Sequence, residues 1–128
     1  MPLDQKEFQD VVPHPKIGTP IDSPDAHPWY SIGPGIWELL LNGDQRSENK
    51  SVLQWYDPGT KSIQNEAIVH TYYEEVCFIR GGLKDITLGQ EWGMGAYAYR
   101  RPGMKHGPYV ASAEGCLQFV KIMAAVEG

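Results

Sequence analysis

Apolar residues along this chain come in short runs separated by glycine or proline, and no stretch sustains the 3.6-residue period of an amphipathic helix. The first thirty-five residues hold Pro2, Pro13, Pro15, Pro20, Pro24, Pro28 and Pro34, with little periodic hydrophobicity. Proline fixes φ and lacks a backbone donor, so residues 1–35 are predicted to be an extended arm or a series of turns. After Gly35 the runs resume. "GIWELLLNG" is read as a strand, although it alternates poorly, and "SVLQWYDPGTK" as a strand closed by an Asp57-Pro58-Gly59 turn. "NEAIVHTYYEEVCFIRGGLKDITLG" reads as two strands around a turn at 71–74, with "LKDITLG" as a further strand or turn. "GAYAYRR" follows, then a Pro-Gly turn and a last strand, "GCLQFVKIMAAV", which is expected to turn helical after Lys121. Short strands at close intervals with turn residues between them predict an all-β sandwich or barrel over residues 36–128.

Composition narrows the class. The 128 residues fit one domain, and 41% hydrophobic with 21% charged residues is a globular balance. A net charge of -5 gives no attraction for nucleic acid or an anionic membrane. No apolar run reaches the ~20 residues needed to span a bilayer. "MPLDQKEFQD" lacks the basic start and apolar segment of a signal peptide, so a cytoplasmic location is expected. Cys77 and Cys116 each sit in an apolar run and are read as small core residues.

Four histidines are present. His14 and His27 adjoin prolines and are assigned to the arm. His70 ends the run "AIVH", Glu74 and Glu75 follow across a tight turn, and His106 lies in "YRRPGMKHGPY". A barrel brings strand ends together, so two imidazoles and one carboxylate can converge on one ion. That ligand set is favoured by non-haem Fe(II) and also suits Mn, Ni or Zn.

The spacing carries a resemblance. "HTYYEEVCFIRGG" and "GAYAYRRPGMKH" resemble the two motifs of the cupin family, G-x5-H-x-H-x3,4-E-x6-G and G-x5-P-x-G-x2-H-x3-N. The first fits through Glu74 and Gly81 or, one residue later, through Glu75 and Gly82. The second fits from Gly95 through Gly103 to His106. Ile68 stands at the motif's first histidine, Ser62 at its opening glycine, Arg101 at its proline and Val110 at its asparagine. The "EGC" of Glu114 to Cys116 and the proline-rich turn before His106 are similar to the branch that includes acetylacetone dioxygenase, dihydroxyacetophenone dioxygenase and the metal-binding domain of certain anti-sigma factors.

This resemblance implies a double-stranded β-helix, or jelly-roll barrel, with a divalent metal, Fe(II) favoured, held by His70, Glu75 and His106. Between the two glutamates, Glu75 is preferred as the inward one, since neighbours in a strand face opposite ways. One motif histidine is missing and some cupins dispense with metal, so a metal-free site stays open. The implied activity is cleavage of a diketone or hydroxyketone by a dioxygenase, with Glu75 and His106 as catalytic groups. An isomerase, decarboxylase or lyase, and a non-catalytic sensing domain, are the alternatives. Arg101 is read either as a grip for a substrate carboxylate or enolate, or as one half of a surface ion pair. Tyr97, Tyr99 and Trp55 are the expected pocket residues, with core packing as their competing role. The implied partners are a small-molecule substrate and, through the N-terminal arm, a second copy in a homodimer.

Overall fold

The computed structural model describes residues 3–62 and 68–125, with the backbone alone at Ile68 and Val69. Residues 63–67 lie outside the described residues, and with them 65–67 of the run read as the strand leading to His70. Nine strands occur among the described residues: β1 (Tyr30–Gly33), β2 (Ile36–Gly43), β3 (Lys50–Tyr56), β4 (Ile68–Val69), β5 (Tyr73–Asp85), β6 (Gln90–Trp92), β7 (Tyr97–Arg100), β8 (Lys105–His106) and β9 (Tyr109–Met123). A single 3-10 turn, Pro24–Ala26, precedes them.

All the pairings are antiparallel. The large sheet runs β1-β2-β3-β9-β5-β6, and β7 pairs with the first half of β5. β4 pairs with β8 in a second, two-stranded sheet. The run from Ile68 through Asp85 is therefore not a hairpin. Its two strands part company after Val69, one joining β8 and the other β9, and that separation makes His70 a corner residue. The glycines at 81 and 82 do not end a strand either, because β5 continues through them by register shifts between Phe78 and Arg80 and between Gly81 and Leu83. The last strand also runs further than the sequence reading had it. It starts at Tyr109 and stays extended through Met123, with no helix after Lys121 among the described residues, because Lys121, Ile122 and Met123 pair with Glu75, Glu74 and Tyr73.

The poor alternation of "GIWELLLNG" has a physical cause. One face of β2 and β3 points into the barrel, where Leu40 and Val52 join Val76, Val120 and Ile122. The other face carries Trp37, Leu39, Leu53 and Trp55, packed with Ala26 and Trp29 from the segment before β1. A strand covered on both sides loses its polar stripe. The proline-rich segment is extended but lies against the sheet. His14 stacks on Trp55 at 3.7 Å between ring centroids. The Trp29 indole donates to the Val12 carbonyl at 2.8 Å, and Arg80 lies over the Trp55 ring at 5.7 Å. Its last part, Tyr30–Gly33, is strand β1 on β2.

Gly81 is the tightest point of the bend in β5. Its φ is +70, and a Cβ there would meet the carbonyl oxygen of Gly115. Gly81→Ala combines left-handed backbone strain with a backbone collision and is expected to cost at least about 2 kcal/mol. A urea midpoint within experimental error of the wild type would show that the bend tolerates a side chain.

Candidate metal centre

His70, Glu74 and His106 come together on the inner wall of the barrel, each offering a ligand atom within 4.8 Å of the others. Each arrives by a different route. Glu74 is the second residue of β5, and its register partners are Ile122 and Arg100. His106 ends β8 and pairs with Ile68, which puts it beside the chain entering His70. Gly103 of the Pro-Gly turn donates its N–H to the His70 carbonyl at 2.9 Å, tying the two histidine-bearing loops together.

The histidine rings are 4.6 Å apart between centroids, and His70 Nε2 lies 3.5 Å from a Glu74 oxygen. Nε2 of both His70 and His106 is buried and, among the described residues, has no hydrogen-bond partner. His106 is oriented from behind. Its Nδ1 is 2.8 Å from the Tyr109 hydroxyl, which also accepts from Arg100 Nη2 at 2.7 Å. Arg100 Nη1 lies 3.5 Å from the other Glu74 oxygen. An imidazole whose far nitrogen is held by an outer partner is the usual arrangement of a histidine ligand.

Electrostatics favour neutral rings. Burial, helped by the positive Arg100 and by His70, lowers the His106 pKa to about 3. His70 is lowered by burial and then by Arg100. Burial raises Glu74, and Arg100 opposes that rise. Both imidazoles therefore carry free lone pairs at neutral pH, the state in which they ligate metal. Two unpartnered imidazole nitrogens and one carboxylate oxygen fit a divalent transition ion with open positions.

The centre opens on a cavity of about 600 Å³. Tyr56, Tyr72, Val76, Phe78, Leu83 and Ile122 supply much of its wall. This is the size range of small-molecule sites.

Several expected site residues sit elsewhere. Glu74 faces the cavity with Val76 and Phe78, whereas Glu75 is turned outward, where it accepts from the Tyr97 hydroxyl at 2.5 Å. The inward preference for Glu75 is corrected by one residue. Arg101 is exposed, and Arg100 is the arginine that enters, because β7 pairs Arg100 with Glu74. Trp55 belongs to the outer cluster beneath the arm, 3% exposed, and its neighbour Tyr56 lines the cavity. Tyr97 reaches the cavity mouth but is 62% exposed, and Tyr99 shares its outer face. Cys116 is fully buried, its thiol pushed up to about 12 by burial, and Cys77 is half-buried.

Sequence reasoning missed Arg100, Tyr109 and the polar set Glu38, Gln54 and Gln118, which also line the cavity. The last three had a visible signal. Each is a polar residue inside an otherwise apolar strand run: "WELLL", "VLQWY" and "CLQFV".

The ChrR cupin-like domain family matches residues 21–126, and the chain belongs to it. Its barrel is accordingly the cupin jelly roll. No curated protein matches the chain. An RmlC-like cupin from Shewanella frigidimarina superposes with a TM-score of 0.59 at 19% identity, covering 82% of this chain and 91% of that one. The crystal structure of Rhodobacter sphaeroides SigE in complex with the anti-sigma ChrR gives 0.58 at 20% identity, covering 73% of this chain and 48% of that one. This chain thus spans about half the length of that relative. An acetylacetone dioxygenase from Acinetobacter johnsonii gives 0.57 at 13% identity, covering 91% and 78%. At these identities the likeness is one of fold. Among the described residues, no helix is long and apolar enough to cross a membrane.

The depressed histidines make a pH prediction for the protein stripped with chelator. The unfolded chain takes up a proton at His106 near 6.5, but the folded chain does not until about 3. Stability from His106 is therefore present above 6.5 and is lost as pH falls through that window. Glu74, raised in the fold, acts with the opposite sign. Melting curves are expected to shift down with falling pH, and less steeply in His106→Asn. An equal slope in both proteins would remove His106 as the source.

Proposed function

We propose that the chain is a metal-dependent small-molecule enzyme of the cupin type, a dioxygenase that cleaves a carbon–carbon bond in a diketone or hydroxyketone. The observation that carries this reading is the grouping of two neutral imidazoles and one carboxylate on the wall of a largely apolar cavity. His70, Glu74 and His106 would hold the ion, with Fe(II) favoured and Mn, Ni or Zn able to occupy the same ligands. A bound divalent ion supplies Lewis acidity toward an enolisable substrate and, as iron, the capacity to use oxygen.

The chain's own residues do the rest. Tyr109 holds His106 through Nδ1, so its Nε2 stays aimed at the ligand cluster. Arg100, already beside Glu74, lies where a guanidinium offsets the negative charge of an enolate, the role expected of Arg101. Val76, Phe78 and Ile122 keep water from the reacting carbons. The acetylacetone dioxygenase among the structural neighbours supports the substrate class.

A second reading, a ligand- or metal-sensing domain that contacts a protein partner, is favoured by the family match and by the SigE–ChrR complex. A third is acid–base chemistry without metal. It draws on Glu74 and His70, 3.5 Å apart with pKa values displaced in opposite directions. In all three the chain is taken as a cytoplasmic homodimer.

Metal analysis of the purified protein separates these readings. Stoichiometric iron that disappears in His106→Ala, with oxygen uptake on a panel of β-diketones, is the expected result. Tight metal without uptake on any diketone favours the sensor. A metal-free protein with an intact cavity favours acid–base chemistry. Glu74→Gln is expected to weaken metal binding by at least about 100-fold, whereas Glu75→Gln changes it by no more than about threefold. The reverse order would return the ligand role to Glu75.

A further inference from the structure

A second polar group lines the same cavity, away from the metal ligands. Tyr30, Glu38, Gln54 and Gln118 form one continuous cross-strand row over β1, β2, β3 and β9, and Gln118 then faces Phe78 of β5. Phe78 lies four positions along β5 from Glu74, so the row sits roughly 13 Å from the ligand carboxylate along the strand.

The hydrogen-bond direction along this row is set at one end. Glu38, 4% exposed, accepts from the Tyr30 hydroxyl at 2.5 Å, Lys50 Nζ at 3.0 Å and Gln54 Nε2 at 2.9 Å. A carboxylate only accepts, so the Gln54 amide must turn its nitrogen toward Glu38. That leaves Gln54 Oε1 to accept from Gln118 Nε2 at 2.7 Å. Gln118 is thereby oriented too, with Oε1 at the end of the chain. That oxygen is buried and, among the described residues, has no partner, although Gln118 is only 5% exposed and lines the cavity.

We propose that Gln118 is a specificity-determining residue whose Oε1 accepts a hydrogen bond from an O–H or N–H at the far end of the ligand. Glu38, Lys50 and Gln54 are positioning residues that hold it in that orientation. The ligand class is then an elongated small molecule with an oxygen-rich, metal-chelating end, an apolar middle against Val76 and Phe78, and a hydroxyl or amide N–H at the other end. The assignment of the chelating end rests on the metal-centre reading; the donor end rests on the row alone. A pocket that leaves a buried acceptor unmet discriminates against an analogue lacking the donor.

The test is a two-by-two comparison by calorimetry on the zinc-loaded full chain. The probes are ω-hydroxyoctanohydroxamate and the isosteric nonanohydroxamate, and the proteins are the wild type and Gln118→Met. The wild type is expected to hold the hydroxylated probe about tenfold more tightly. Gln118→Met is expected to lose that preference while keeping its zinc affinity. Gln118→Glu, whose protonated carboxyl can donate to Gln54 and still present an oxygen, is expected to keep the preference, and it serves if the methionine variant does not fold. Equal affinity of the two probes for the wild type, or an undiminished preference in Gln118→Met, overturns the proposal. So does failure of either probe to bind zinc-loaded protein. If the protein takes up no zinc, the metal-centre reading fails by itself, and the same comparison on the zinc-free protein still decides the role of Gln118.

Discussion

The antiparallel pairing of Tyr73–Asp85 with Tyr109–Met123 is the longest in the chain, and the other elements are placed by it. Its first half carries β7 on one side and continues through β3 into β2 and β1 on the other, while its second half carries β6. Two register shifts, near Phe78 and Gly81, bend β5 so that one strand serves both halves. The bend relies on glycines at 81 and 115 meeting where neither has room for a side chain. Bulges in long strand pairs are a common means of curving a sheet into a barrel.

From this pair comes the chemistry. Glu74 is near the start of β5, Arg100 is its neighbour on β7, and Tyr109 opens β9. His106 reaches them because β8 is only three residues before Tyr109, and His70 because β4 pairs with β8. The arginine has two effects. It holds the Tyr109 hydroxyl that orients His106, and its charge helps keep both imidazoles neutral. Removing Arg100 would therefore alter ligand orientation and protonation together.

The cavity has two differently built ends. At one, ligand atoms with free lone pairs wait for a cation. At the other, a carboxylate buried with three donors imposes a direction on two successive amides. Both depend on polar groups being paired wherever water is excluded, so an unpaired one in the wall of a cavity marks where a ligand can bind. His70 Nε2, His106 Nε2 and Gln118 Oε1 are such atoms in this cavity.

The residues alone determined an all-β chain with an extended proline-rich start, and they singled out His70 and His106 through spacing that resembles the cupin motifs. Spacing survives folding unchanged, which is why those two histidines could be read. The choice between Glu74 and Glu75, and between Arg100 and Arg101, belonged to the tertiary structure. Strand alternation states that neighbours face opposite ways, but it names the inner face only where one side is polar. Here the arm covers the outside of β2 and β3 with His14, Ala26 and Trp29, so Trp55 looked as much like a pocket residue as Tyr56. On β5, apolar residues lie on both faces, Val76 and Phe78 on one and Cys77 and Ile79 on the other. Only the register of β5 against β7 and β9 settles which carboxylate and which arginine meet the histidines. That register is set by pairings between residues far apart in the chain, and no local pattern encodes it.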